Sequence, residues 1–102
     1  MLIVLTTVSS GEEGERLATK LVETRLAACV QVMPQMMSVY RWKGKIEKEN
    51  EHLLLIKTIE DKWNALEIFI KEQHPYELPE IVAIDAESVS PEYDRWLSGA
   101  LD

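Results

Sequence analysis

Two histidines, one cysteine and a group of aromatic residues are the side chains of this sequence with chemistry to offer. His74 stands in the run His74-Pro75-Tyr76-Glu77-Leu78-Pro79-Glu80, where two prolines stiffen a loop. Loops at the end of a sheet are where sites tend to sit. An imidazole in such a place either ligates a metal or caps a helix by bonding its last carbonyls. Cys29 lies among Ala27, Ala28 and Val30, so it packs as a small apolar residue as readily as it ligates. Met33, Met36 and Met37 offer thioethers to Cu(I), or fill gaps in a core or interface. Paired-cysteine spacing and the two-histidine helix motif are both absent. Glu47, Glu49 and Glu51 recur with a period of two, which puts three carboxylates on one side of a strand, and a solvated edge is the expectation. Tyr40, Trp42, Tyr76, Tyr93 and Trp96 either line a pocket or pack in a core or interface. No Gly-x-Ser-x-Gly elbow, phosphate-cradling glycine loop or catalytic carboxylate pair is present, so no catalytic residue is expected.

The elements that must position these residues centre on positions 27–58. This stretch reads as two long strands, 27–42 and 45–58, joined at Lys43-Gly44. Pro34 cannot donate to a ladder, so it marks a bulge in the first arm. Each arm reaches roughly 45–50 Å at about 3.3 Å per residue. Helices of about 15 residues cover roughly 22 Å. Half of the hairpin therefore overhangs the body and needs a partner surface.

The remaining elements follow from periodicity and punctuation. Positions 2–7 form a first strand, apolar without alternation, as in a strand buried on both faces. Ser9 with Glu12, or Ser10 with Glu13, opens a helix running to about Arg25, with Leu17 and Leu21 on its inner face. Thr58 with Asp61 opens a second helix, whose Trp63, Leu66, Phe69 and Ile70 form a buried stripe ending near Gln73. Positions 81–86 form a last strand, again apolar on both faces. Ser90-Pro91 opens a short final helix that Gly99 ends. The order β-α-β-β-α-β plus a terminal helix is an α+β, ferredoxin-like arrangement with an extended hairpin, in one domain over residues 1–102. A sheet apolar on both faces with helices for only one of them predicts self-association.

Composition narrows the partners. A chain of 102 residues suffices for one core. Its net charge of −7 is opposite to the basic footprint of nucleic-acid binding, so no nucleic-acid partner is expected. No stretch has the roughly 18–20 apolar residues of a membrane span. The first residues lack the basic region of a secretory signal and the single cysteine cannot form an internal disulfide, so the expected location is cytoplasmic.

Several segments in order resemble the CutA family of divalent-cation tolerance proteins. They are Arg25-Leu26-Ala27-Ala28-Cys29-Val30, Tyr40-Arg41-Trp42-Lys43-Gly44-Lys45-Ile46, Leu55-Ile56-Lys57-Thr58, His74-Pro75-Tyr76 with Pro79-Glu80-Ile81, and Tyr93 through Trp96-Leu97. The resemblance implies a homotrimer, tolerance of copper and other divalent cations, and no enzymatic reaction. It implies His74 as metal ligand, with Cys29 as a further donor. Some relatives carry a cysteine and a second histidine where this chain has Thr6 and Gln73, so copper binding here should be modest. The family is also similar in architecture to the PII signalling proteins, which bind effectors between subunits. That analogy offers the alternative of a small-molecule sensor or an uncharacterised enzyme, with Tyr40, Trp42, Lys57, Tyr76 and Glu80 lining the inter-subunit cleft beside His74.

Overall fold

A computed structural model describes residues 1–102. Its elements are β1 (Leu2–Val8), α1 (Gly11–Glu23), β2 (Cys29–Val32), β3 (Met36–Trp42), β4 (Lys45–Thr58), a 3-10 turn (Glu60–Lys62), α2 (Trp63–Gln73), β5 (Val82–Asp85) and α3 (Pro91–Leu101). The sheet runs β2-β4-β1-β5, antiparallel throughout, and β3 pairs with β4 beyond it. Counting β2 and β3 as one arm, this is the expected ferredoxin-like order.

Pro34 cuts the first arm rather than bulging it. Residues 33–35 fall outside both ladders, and β2 and β3 pair separately with β4. A proline has no N–H to give a ladder, and of the three residues around it only Met33 still reaches β4, its N–H donating to Leu53 O at 2.9 Å. β4 is unbroken for 14 residues. At about 3.3 Å per residue it extends roughly 46 Å. The molecule measures 45 × 25 × 23 Å, so this one strand sets its long axis. The β3–β4 ribbon thus projects past the helices, as expected. Lys43 and Gly44 turn the ribbon with φ of 49° and 81°. Two successive left-handed residues make a type I′ turn, whose twist matches that of the strands it joins.

Helix ends correct several expectations. Ser10, not Ser9, caps α1, its Oγ accepting from the Glu13 N–H at 3.1 Å. α1 stops at Glu23, before Arg25, because Arg25 turns left-handed at φ 59°. Leu26 N–H then donates to Leu21 O and Arg25 N–H to Val22 O, the paired bonds of a Schellman ending. Thr58 does not cap α2. It is the last residue of β4, and its hydroxyl donates to Leu26 O at 2.7 Å, leaving a 3-10 turn to lead into the helix. Gly99 does not end α3, which continues to Leu101. Leu97 and Leu101 lie one turn apart and bury together with Ala28, and that burial outweighs the weak helix propensity of glycine.

Both long helices pack on one face of the sheet. Leu17 and Leu21 of α1 and Leu66 and Ile70 of α2 close over Val4, Val8, Leu54 and Ile56. Trp63 and Phe69 are only partly buried at the margin of this core. A Cβ on Gly14 would stand 2.9 Å from Val32 Cγ1, so glycine lets α1 approach the sheet. The other face carries Ile3, Leu5, Leu53, Leu55, Val82 and Ile84 in adjoining rows of the same ladders. Val82 and Ile84 remain 47% and 48% exposed, so the apolar second face expected from the sequence is real and lacks a cover.

One buried group is out of place in this core. Thr6 is fully buried beside Leu54, and its Oγ1 has no hydrogen-bond partner. An unsatisfied buried hydroxyl costs about 1–3 kcal/mol. Thr6→Val is therefore expected to raise stability by about 1 kcal/mol in guanidinium unfolding. A loss of stability in that variant would show that the hydroxyl has a partner in solution.

Candidate functional site

His74 is the C-cap of α2 and is buried. Its Nε2–H donates to the Thr7 carbonyl at 2.7 Å, across to the end of β1. Its Nδ1 accepts from the Tyr76 backbone N–H at 3.2 Å. One nitrogen is thus spent as donor and the other as acceptor, a pattern that fixes a single neutral tautomer. Neither keeps a free lone pair for a metal. The ring also stands against Tyr76, with centroids 4.5 Å apart. A metal centred on His74 does not fit this arrangement. The imidazole instead ties the end of α2, the proline loop and β1 into one corner.

Cys29 is not near that corner. It opens β2 opposite Lys57 of β4, whereas Thr7 faces Leu53. The two positions are four residues apart along β4, or about 13 Å at 3.3 Å per residue. Cys29 and His74 of one chain cannot share an ion. No three histidine, cysteine, aspartate or glutamate side chains converge as a metal cage.

What the corner positions is Tyr76. Its hydroxyl donates to Glu51 Oε2 at 2.9 Å, and Glu51 is only 7% exposed. Glu51 belongs to the period-two row expected to be a solvated edge; its burial corrects that expectation. In the β3–β4 register, Met36 faces Glu51, Ser38 faces Glu49 and Tyr40 faces Glu47. Facing residues of an antiparallel pair point to the same side. This side of the ribbon and the proline loop together enclose an open cleft of about 720 Å³. Within the single chain Tyr40, Trp42, Tyr76 and Glu80, which the family resemblance assigned to an inter-subunit cleft, line it together with Glu47, Glu49 and Glu51, which that assignment left out. Their alternation was visible; what hid their role was that Tyr76 arrives from a loop 25 positions away.

Lys57 does not join this cleft within the chain. It lies toward the other end of β4, where its ammonium donates to Tyr93 Oη at 3.3 Å and stands 5.3 Å from that ring's centroid. The field in the cleft is negative. Burial and then the carboxylates of Glu49, Glu51 and Glu47 hold the Tyr40 hydroxyl above its usual range. Burial, then acceptance of its proton by Glu51, raises Tyr76 further still. Both phenols stay neutral and can donate hydrogen bonds. The ion pair at the rim, Lys43 with Glu77 at 3.8 Å, leaves Glu47, Glu49, Glu51 and Glu80 without a cationic partner. The chemistry on offer is oxygen donors beside aromatic faces, which suits a cation and repels an anion.

Comparison with known proteins agrees with this fold over its full length. The divalent-cation tolerance protein CutA of Thermus thermophilus is 44% identical over 95 residues, covering 93% of this chain and 92% of that protein. A CutA homolog of Xenopus laevis is 46% identical over 81 residues, covering 79% of this chain and 54% of that protein. The chain thus spans about half the length of several relatives it matches, and nearly all of the bacterial one. A crystal structure of CutA1 from Pyrococcus horikoshii superposes with a TM-score of 0.94 at 37% identity, covering 100% of this chain and 99% of that one. The family model of the CutA1 divalent ion tolerance protein matches residues 2–100, and the chain belongs to that family.

Proposed function

We propose that this protein serves divalent-cation tolerance as a non-catalytic homotrimer, and that it draws cations weakly into the negative field of the cleft carboxylates, without a coordination cage, rather than binding them at His74. The observation that carries this reading is the set of Glu47, Glu49, Glu51 and Glu80 around one cleft, none of them ion-paired. Carboxylate oxygens suit hard divalent cations, while copper finds no free imidazole there and binds modestly. Trimer formation is supported by the uncovered apolar face of the sheet and the projecting ribbon. The alternative of a small-molecule sensor is disfavoured for any anionic effector, because four carboxylates repel such a ligand.

Calorimetric titration with Mg(II), Mn(II) and Cu(II), one metal at a time, tests the reading. Dissociation constants on the order of 10⁻⁴ M, the range of weak oxygen-donor sites, are expected. The double variant Glu47→Gln/Glu49→Gln should weaken binding about tenfold, as roughly 1.4 kcal/mol of lost attraction would do. Nanomolar Cu(II) binding that survives the double variant would overturn the carboxylate assignment. Light scattering that gives a monomer mass at micromolar concentration would overturn the trimer.

A further inference from the structure

The cleft between the ribbon and the proline loop offers carboxylates and aromatic faces side by side, and a bare metal ion can use only the first. Glu47, Glu49 and Glu51 project from alternate positions of β4, about 6.6 Å apart along the strand. Metal ligation needs several oxygens within about 2.0–2.6 Å of one point. No such group converges here. Carboxylates standing in file instead match charges that are themselves spaced along a chain. Glu51, the innermost, is 7% exposed and lines the cleft. It accepts from the neutral Tyr76 hydroxyl, yet no cation of the chain pairs with it. A carboxylate so buried is costly unless an opposite charge reaches it. The outer end of the cleft already holds a primary ammonium. Lys43 Nζ stands 5.7 Å from the centroid of the Trp42 ring and 3.8 Å from Glu77 Oε2, and both Trp42 and Glu77 line the cleft. A ring beside a carboxylate is therefore a seat that an alkylammonium takes in this molecule. Lys45, opposite Trp42, is the other cation at that end. Further in, Tyr40 faces Glu47 and Tyr76 reaches Glu51, so the pairing of ring and carboxylate recurs with no lysine or arginine to fill it.

We propose that the cleft is a site for a linear aliphatic polyamine, whose ammonium groups pair in turn with Glu51, Glu49 and Glu47 and whose methylenes lie on the rings of Tyr40 and Trp42. This rests on the reading of the cleft as cation-attracting and names the class of cation. Spacing supports it first. Four methylenes between two nitrogens hold the charges about 6 Å apart when extended, at bond lengths of roughly 1.5 Å. That interval is close to the repeat of the carboxylates. The rings support it next. An ammonium over tyrosine or tryptophan is attracted by the negative face of the ring, and the methylene stem covers apolar surface as a lysine stem does. Neither contact is open to hydrated Mg(II), which gives up its waters reluctantly. The Tyr76 oxygen, whose proton goes to Glu51, still accepts from an N–H of the ligand. Finally, a cleft of about 720 Å³ has the size of a small-molecule site, far more than a single ion fills.

Calorimetric titration of the full chain, as it assembles in solution, with 1,4-diaminobutane and with Mg(II) in the same buffer tests this. The two carry equal charge, so a preference for the diamine isolates the alkyl chain and the rings from the field. The diamine should bind about tenfold tighter than Mg(II), and spermidine, with a third ammonium for the third carboxylate, tighter again. Tyr40 is 40% exposed, so its truncation leaves the core intact. Tyr40→Ala should weaken the diamine about tenfold and Mg(II) far less, as the loss of a ring contact would do. Tyr40→Phe, which keeps the ring, should restore the diamine's affinity. A diamine that binds no tighter than Mg(II), or a Tyr40→Ala variant that weakens both alike, overturns the polyamine assignment. The cation reading of the cleft then still stands if Glu47→Gln/Glu49→Gln weakens Mg(II). If neither cation binds the parent, that reading falls and this inference falls with it.

Discussion

Replacing Leu66 with alanine should cost about 2–5 kcal/mol of stability, the range for truncating a fully buried leucine. Leu66 is 0% exposed and sits one turn from Ile70, which is also 0% exposed. Both belong to one buried cluster with Val4 of β1, Leu54 and Ile56 of β4, and Leu17 and Leu21 of α1. The neighbours that would have to collapse into the space belong to three different elements, each held by its own backbone bonds. Little relaxation is available, and the cavity term should be large. Denaturant unfolding at matched protein concentration measures the loss; matching matters because subunit association adds to apparent stability. A change under about 0.5 kcal/mol, well below the buried-leucine range, would mean that α2 does not close this core.

His74→Ala should be nearly as damaging, at about 2–4 kcal/mol. Two hydrogen bonds are lost, each contributing about 1 kcal/mol, and the Thr7 carbonyl and Tyr76 N–H are left with partners removed, at about 1–3 kcal/mol where they stay buried. The effect reaches the cleft as well. Without the ring to hold the Tyr76 backbone, the Tyr76 hydroxyl loses its fixed approach to Glu51, and the cleft loses its inner wall. Unfolding and metal titration of the same variant distinguish the two roles of this residue. Destabilisation with the metal affinity of the folded protein changed severalfold or less marks a positioning residue. Full stability with all copper binding abolished would restore His74 as a ligand.

How far the sequence could be read depended on the range of the interaction. The core stripe Leu17, Leu21, Leu66 and Ile70 follows from helical spacing alone, and all four are buried. The ribbon turn follows from Gly44, and the overhang from counting residues. The helix ends were harder. Arg25 in a left-handed conformation carries no local signal, since it is the partly buried Leu26 and the carbonyls of α1 that hold it there. Thr58 looked like a cap by its neighbours, yet Leu26, 32 positions away, claims its hydroxyl. The candidate site shows the same divide. Tyr40, Trp42, Tyr76 and Glu80 could be grouped only through resemblance to a family, because nothing local joins the ribbon to the proline loop. The spacing around His74 favours a helix cap over a ligand, and what fixes the ring's place, acceptance by the Thr7 carbonyl 67 positions away, has no local signal.

The unbroken course of β4 has a consequence for how the chain acquires its shape. β4 pairs with β3 across a two-residue turn, but with β1 across a loop of roughly fifty positions, and contacts of such unequal range form at unequal speeds. A hairpin zips in about 1–10 μs, while the central pairing must wait for the long loop to close. The ribbon half of β4 is therefore expected to be ordered before the sheet half has its neighbours. During that interval its edges and exposed apolar residues have no companion copy to meet. Lys43 and Lys45 at its tip then act as gatekeepers, breaking the apolar edge with charge until a folded body exists to receive the ribbon.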